Sequence, residues 1–245
     1  MAKNEIAVLD LNQLPSTQIG GDDIYDGLAK SAEFLGRLQL YSKGKAIDKG
    51  HIRPGHYGIP QSGEEITDLG DSIDLLVLAR RPKAIDMTDT DALIVSFNNE
   101  SPEFKRIAAQ SMEKESHCMY GPSFLVIERS SGTFLEFFCG SKSTRSEAKK
   151  IYPFLPVKKA DIDARGLTDT EPHGPLPLTL KSKLVEKGSY SWFVPVVVKC
   201  SSPFTKLPSS DKIIAEIVKF IAPKADTVER VEEPETKPGK KARAR

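Results

Sequence analysis

The chain contains 245 residues, of which 39% are hydrophobic, and its formal net charge is +1. This length suits one large domain with a substantial core. No apolar run approaches the roughly 18 residues that a membrane span needs, and the first residues lack the apolar stretch of a secretory signal. We therefore expect a cytoplasmic protein, in the host cytoplasm if it is viral, with no membrane partner. The three cysteines are odd in number and widely spaced, which predicts free thiols in a reducing compartment.

The near-zero net charge conceals a segregation of charge along the chain. Residues 31–60 carry five Lys or Arg and two acids, whereas residues 61–100 carry three Lys or Arg and nine acids. A basic surface beside an acidic one is compatible with this distribution, so the composition does not exclude a polyanionic partner.

Residues 1–34 mix Gln, Ser, Gly and Asp, which predicts a peripheral N-terminal arm. The first strand follows, with Leu38 and Leu40 on one face and Arg37 and Tyr41 on the other, because side chains alternate along a strand. The next loop is rich in Gly, Lys, Arg and His. This composition suits contact with phosphates and bases, although ordinary surface loops contain the same residues.

Later apolar runs of strand length predict a mainly β domain over residues 35–222. Two β-hairpins are indicated, one with its turn at Ser130-Ser-Gly132 and one with its turn at Glu186-Lys-Gly188. Pro195 within the last strand predicts an edge position or a bulge, because proline cannot donate to the ladder. The predicted strands after the first are residues 73–79, 92–97, 124–129, 133–139, 178–184 and 190–198.

Three short helices are predicted between and after these strands. The first begins with Ser101 and Pro102, and the second begins near Thr144, which has capping-box spacing to Glu147. The third covers residues 211–221 and carries an apolar stripe.

From residue 223 to residue 245 the chain is charged and almost free of apolar side chains, which predicts a disordered tail. The expected organisation is therefore an arm at 1–34, a β domain at 35–222 and a charged tail at 223–245.

The sequence contains no P-loop, dinucleotide fingerprint, Gly-x-Ser-x-Gly elbow or His-Glu-x-x-His motif, and its four histidines lack metal-ligand spacing. We therefore predict no cofactor, no metal site and no catalytic residue. The acidic group Asp68, Asp71 and Asp74 leaves one alternative open, a metal-dependent nuclease, although its context is also that of a solvated turn.

Cations beside aromatic residues on adjacent strands are the main functional signal. Lys181 and Lys183 share one face of their strand, and Tyr190 and Trp192 share a face of the next strand. Such a surface holds a nucleic-acid single strand, because cations follow the phosphates while rings stack on bases. Because Trp192 shares its face with three valines, a core position for this ring is the alternative.

Three segments carry a resemblance to a known family: Arg37-Leu-Gln-Leu, the later Arg53-Pro-Gly55 and the late Trp192-Phe-Val-Pro195. In these segments the chain resembles bacteriophage single-stranded DNA-binding proteins with OB-type barrels. The resemblance covers residues 35–205. It implies an OB-like β-barrel of five or slightly more strands with short helical insertions, acting in phage-type DNA replication or recombination. The basic C-terminus departs from the acidic tail with which many such proteins recruit partners.

The sequence thus predicts a non-enzymatic single-stranded DNA-binding protein of low sequence specificity. Binding of RNA, contacts with replication or recombination proteins and a homo-oligomer all stay open. The alternatives are a virion structural or assembly protein and the nuclease named above. The candidate nucleic-acid-binding residues are Arg37, Tyr41, Lys43, Lys45, Arg53, His56, Tyr57, Arg80, Arg81, Lys142, Lys181, Lys183, Tyr190 and Trp192.

Overall fold

The structure is a computed structural model. It describes residues 35–61, 65–89, 92–113, 116–159, 162–163, 171–200, 204, 206–222 and 227–230. The predicted arm, residues 1–34, and most of the predicted tail lie outside the described residues. Within them the fold is mainly β with few helices, as predicted.

The described residues form ten strands in one large sheet. The strands are β1 Gly36–Leu40, β2 Tyr57–Pro60, β3 Ile66–Gly70, β4 Ser72–Asp86, β5 Ala92–Ser96, β6 Cys118–Glu128, β7 Phe134–Phe138, β8 Pro177–Lys187, β9 Tyr190–Lys199 and β10 Thr227–Arg230. Their order in the sheet is β10-β5-β4-β6-β7-β1-β2-β3, and β8 and β9 branch from β4. All pairs are antiparallel except β1 with β7.

Strand β4 organises the sheet because it is the longest, with 15 residues. One of its edges pairs with β6. Its other edge is shared, since residues 72–76 pair with β8 and residues 84–86 pair with β5. The sheet therefore divides into two branches, β8-β9 and β5-β10.

A β-bulge at Leu78 changes which side chains of β4 face the core. Val77 pairs with Val126 and Ala79 pairs with Leu125, so Leu78 is an extra residue in this strand. A bulge reverses the alternation that follows it. Arg80 consequently lies on the same face of the sheet as Val77, which we call the inner face, and Arg81 lies on the outer face.

The sheet curves around an apolar core on its inner face. Leu38, Leu75, Val126, Leu135 and Leu180 are buried there with further apolar side chains from β4, β6, β7 and β8. Within the described residues no ladder joins the end strands β3 and β9, so the sheet is large and open.

Both predicted hairpins are confirmed, as β6-β7 and β8-β9. Among the described residues, strand β9 pairs with β8 alone, so Pro195 lies on an edge strand, as predicted. Its neighbour at the next alternate position, Phe193, directs its backbone N–H away from β8. Pro195 therefore also faces away from β8, and its missing N–H does not interrupt the β8-β9 ladder.

The helices are short and lie on the surfaces of the sheet. Ser101 caps the helix Pro102–Gln110, and Pro102 is its first residue, as predicted. For the helix Lys142–Ala148 the capping prediction is wrong, since the Ser141 hydroxyl accepts from the N–H of Thr144 and the helix begins earlier than expected. The elements are α1 Lys45–Asp48, α2 Pro102–Gln110, α3 Lys142–Ala148, the 3-10 helix Tyr152–Phe154 and α4 Ser210–Ile221.

The predicted apolar stripe of α4 packs on the outer face of the sheet. Ile213, Ile217 and Phe220 are buried against side chains such as Leu76 and Leu125. The helix therefore covers the outer face of β4 and β6, but the β8-β9 branch lies outside this cluster.

The predicted disorder of residues 223–245 is wrong for residues 227–230, which form β10 and pair with β5. The four residues place Val228 opposite Ile94, so this part of the tail extends the sheet. The described residues include no helix that is both long and apolar enough to cross a bilayer.

Candidate nucleic-acid interface

The β8-β9 hairpin presents cations and aromatic rings on one face. Lys183 pairs with Val194, and the neighbouring pairs on that face are Lys181 with Val196 and Val185 with Trp192. Directly paired residues of antiparallel strands point to the same side. The opposite face carries Leu178 and Leu180, which are buried in the inner core. The lysines and Trp192 therefore lie on the outer face.

This outer face is accessible to solvent. Lys181 and Lys183 are exposed, Tyr190 is 70% exposed and Trp192 is half-buried. Trp192 is not among the buried side chains of the core clusters. The alternative of a core position for Trp192 therefore does not describe its place in this fold.

The end of the hairpin projects beyond the sheet. Lys181 pairs with Ser72, the first residue of β4, and the N–H of Ser182 donates to the carbonyl of Asp71. The residues of β8 after Ser182 pair with β9 and with no other described strand, and Leu184 is 45% exposed. The cations and rings near the tip thus lie on a two-stranded ribbon that a ligand can approach from solvent.

The cationic loop between β1 and β2 is closed on itself by backbone hydrogen bonds. The N–H of Tyr41 donates to the carbonyl of His56, and the N–H of Gly55 donates to the carbonyl of Tyr41. Lys43, Lys45 and Arg53 are exposed along this loop. We call residues 41–56 the cationic loop.

A hydroxyl group joins the cationic loop to the edge of β9. The N–H of Phe193 donates to Ser42 Oγ over 3.0 Å, and this hydroxyl donates to the carbonyl of Phe193 over 3.3 Å. The two residues are 151 positions apart in the sequence. This junction places Lys43 beside the strand that carries Trp192.

Gly55 completes the junction because only a glycine fits there. A Cβ at Gly55 would lie 2.5 Å from the ring of Phe193, and the φ angle of Gly55 is +81°. A residue with a side chain would meet both the ring and an unfavourable backbone conformation. The ring of Phe193 therefore packs directly on the backbone of the cationic loop.

Tyr41 lies on the outer face, as predicted, but it is half-buried. Its ring converges with Ile52 and Ile66 on Gly58, where a Cβ would lie 3.1 Å from the ring. Burial raises the pKa of the Tyr41 phenol. Only part of this ring is free for stacking.

His56 is held by an acidic partner on β3. Its Nδ1 lies 2.9 Å from Asp68 Oδ1, and Asp68 also accepts from the N–H of Gly70. Burial opposes ionisation of Asp68, but the hydrogen bonds from Gly70 and His56 outweigh it and hold the pKa of the carboxyl below its ordinary value. His56 therefore connects the cationic loop to β3, and its ring is engaged by Asp68 rather than open to a phosphate.

Two of the predicted binding residues are buried, and these predictions are wrong. Tyr57 has no exposed surface, and its hydroxyl donates to the carbonyl of Lys181. Arg81 is 8% exposed, because the bulge at Leu78 turns it beneath α4. Neither side chain offers a surface to a nucleic acid.

Arg81 belongs to a buried charge cluster that sequence analysis did not find. Its Nη2 donates to Glu136 Oε1 over 2.7 Å, and Lys83 Nζ donates to Glu136 Oε2 over 2.6 Å. Burial opposes ionisation of Glu136, but the two cations hold its pKa at about 2. Buried charges need such partners, and charged residues at alternate positions of an apolar strand were the available signal.

The remaining predicted residues are exposed at other places. Arg37 is exposed on β1, and Lys142 is exposed at the start of α3, a helix that packs beside β9. Arg80 is exposed on the inner face and lies over the ring of Tyr152, 4.6 Å from its centroid.

Two of the three acidic residues of the nuclease alternative, Asp68 and Asp74, are engaged in other contacts. Asp74 accepts from Arg129 Nη1 over 2.7 Å and from Thr179 Oγ1 over 2.5 Å. Asp68 and Asp74 line an open cleft of about 750 Å³ together with Arg129 and Lys206. Across the described part of the chain, no three His, Cys, Asp or Glu side chains converge as a metal site.

Comparison with known proteins gives no relative: no family model, no curated protein and no solved structure matches this chain.

Proposed function

We propose that this protein binds single-stranded DNA with low sequence specificity and has no catalytic activity. The observation that carries the proposal is the junction of Ser42 with Phe193, which brings the cationic loop to the edge of β9 that faces away from β8, next to the strand that carries Trp192. The proposed interface consists of Lys43, Lys45, Arg53, Lys181, Lys183, Tyr190 and Trp192.

The chemistry of these side chains suits an unpaired strand. Lysine and arginine attract phosphates whatever the sequence, and exposed rings stack on any base. Tyr190 and Trp192 need bases that are free of a duplex stack. Binding should therefore favour single strands over duplex.

The curvature of the sheet supports an OB-like arrangement. The bonds from Tyr57 to Lys181 and from Ser42 to Phe193 connect the β1-β2 end of the sheet to the β8-β9 branch, although no ladder joins them in the described residues. We propose that these contacts complete an OB-like barrel. A role in phage-type replication or recombination is the context that the sequence resemblance implies for such a protein.

Tryptophan fluorescence provides the test, because Trp192 is the only tryptophan of the chain. Oligo(dT) should quench this fluorescence, and duplex of equal length should bind more weakly. The affinity should fall with salt, with a slope of about −0.7 for each phosphate contact.

The proposal is wrong if oligo(dT) neither quenches Trp192 nor binds by an independent assay such as fluorescence anisotropy of a labelled oligonucleotide. Salt-independent binding would also contradict it, since the interface is cationic. Self-association without nucleic-acid binding would instead favour the virion assembly alternative.

A further inference from the structure

A second cationic and aromatic surface lies on the inner face of the sheet, at Arg80 and Tyr152. The guanidinium of Arg80 lies over the ring of Tyr152, 4.6 Å from its centroid. Tyr152 also packs against Phe124, which is fully buried, with ring centroids 6.1 Å apart. Tyr152 remains 37% exposed, so the stack is fixed in position and open to solvent.

The charge of Arg80 is not neutralised within the described chain. No carboxylate among the described residues pairs with it, whereas its neighbour Arg81 is paired with Glu136. Lys149, three positions before Tyr152, is likewise exposed and forms no ion pair with any described residue. An arginine stacked on a tyrosine keeps its N–H groups free to bind phosphate.

Helix α3 connects this surface to the proposed interface. Its first residue, Lys142, is exposed, and the helix packs beside β9 and β6. Lys149 is the residue that directly follows α3, and its separation of seven positions from Lys142 corresponds to about 10 Å along the helix axis. Ala148 at the end of this helix is buried in the inner core, so α3 leads from β9 to the face of the sheet on which Arg80 and Tyr152 lie.

We infer that Arg80, Tyr152 and Lys149 form a second contact zone for the same single strand, reached across α3. This inference rests on the proposed function. A strand long enough to reach both zones gains affinity from two linked contacts, whereas a short strand engages only the first zone. The first zone is the proposed interface, which contains Trp192, so tryptophan fluorescence reports the binding of short and long strands alike.

The test compares oligo(dT) of about 6 and about 20 nucleotides, lengths that bracket the usual site sizes of OB folds. Wild-type protein should bind the longer strand at least about 10-fold more tightly than the shorter one. Arg80→Gln and Tyr152→Leu should remove most of this gain and leave the affinity for the shorter strand within about twofold. Lys149→Gln should lower the salt slope by about 0.7 for the longer strand alone.

Lys212→Gln is the matched control, because Lys212 also lies over an aromatic ring, 5.9 Å from the centroid of Phe134, but on the outer face. It should change neither affinity. Arg80 is exposed, so thermal melting of Arg80→Gln should match wild type.

The possible outcomes separate the two proposals. If wild type binds neither length, the proposed function fails. If wild type binds both lengths but Arg80→Gln leaves the gain intact, or weakens both lengths equally, the second contact zone is wrong and the proposed function stands.

Discussion

Two parts of the outer face carry the same kinds of residues and use them differently. Beneath α4, Arg81 lies 3.9 Å from the ring centroid of Phe97 and 4.1 Å from that of Phe220, and it shares Glu136 with Lys83. On the β8-β9 branch, lysines lie near Trp192 outside the cluster that α4 covers, and they are exposed in the described structure.

The two parts differ in whether a helix packs over them: α4 covers the first part and lies outside the second. A cation that is removed from water must gain an opposite charge and hydrogen bonds, and Glu136 supplies both beneath α4. A cation in water needs no such partner, so Lys181 and Lys183 remain free to attract an anionic ligand. Cations beside aromatic residues on strands therefore indicate a binding surface only where no element packs over them.

Removing the shared carboxylate should have the largest effect. Glu136→Gln leaves Arg81 and Lys83 buried without a counter-charge, so the free energy of unfolding should fall by about 3–5 kcal/mol. Urea denaturation would measure this loss. Glu186→Gln, at an exposed position of the hairpin, is the control and should change stability by less than about 0.5 kcal/mol. Similar stability of the two variants would show that the cluster does not need its charge balance.

Acid should have the next largest effect, because it removes the charge of Glu136 from the cluster beneath α4 and so lowers the stability of the fold. The pKa of Glu136 is lowered to about 2 in the folded protein, so its contribution to stability is present above the unfolded value of about 4.3 and is lost as pH falls from there toward 2. Unfolding measured between pH 6 and pH 2 should show this decline in wild type. Glu136→Gln should lack the part due to this carboxyl; an identical decline in both proteins would assign it to other acids.

A matched pair of glycine substitutions tests the junction between the cationic loop and the edge of β9. Gly55 and Gly50 both have positive φ angles, but a Cβ at Gly50 would meet nothing within 4 Å. Gly50→Ala should cost about 1 kcal/mol of stability through backbone strain alone. Gly55→Ala should cost about 1–2 kcal/mol more, because its Cβ also displaces Phe193.

Gly55→Ala should in addition weaken binding of oligo(dT), since the displaced ring separates the cationic loop from β9. Equal affinities of the two variants for oligo(dT), measured on folded protein, would show that the junction does not position the interface.

Replacing the two hairpin lysines should have the smallest effect on stability. Lys181→Gln with Lys183→Gln should leave the melting temperature nearly unchanged, because both side chains are exposed. The salt slope for oligo(dT) should fall by about 1.4, corresponding to two phosphate contacts. An unchanged slope would remove these lysines from the proposed interface.

Local patterns in the sequence predicted the elements on which this comparison depends. The two hairpins, the edge position of Pro195 and the apolar stripe of α4 were all indicated correctly. Each follows from an interaction between near neighbours: alternation along a strand, the missing N–H of proline, or the period of a helix. These patterns also placed Lys181 with Lys183, and Tyr190 with Trp192, on common faces of their strands, and the register of β8 with β9 puts both pairs on the same side.

The tertiary structure decided which of the predicted surfaces remain open. The bulge at Leu78 exchanged the faces of Arg80 and Arg81, and α4 then covered Arg81. Strict alternation cannot indicate a bulge, because one extra residue reverses every position after it. The junction of Ser42 with Phe193 joins residues 151 positions apart, so it arises only when the sheet has curved around its core.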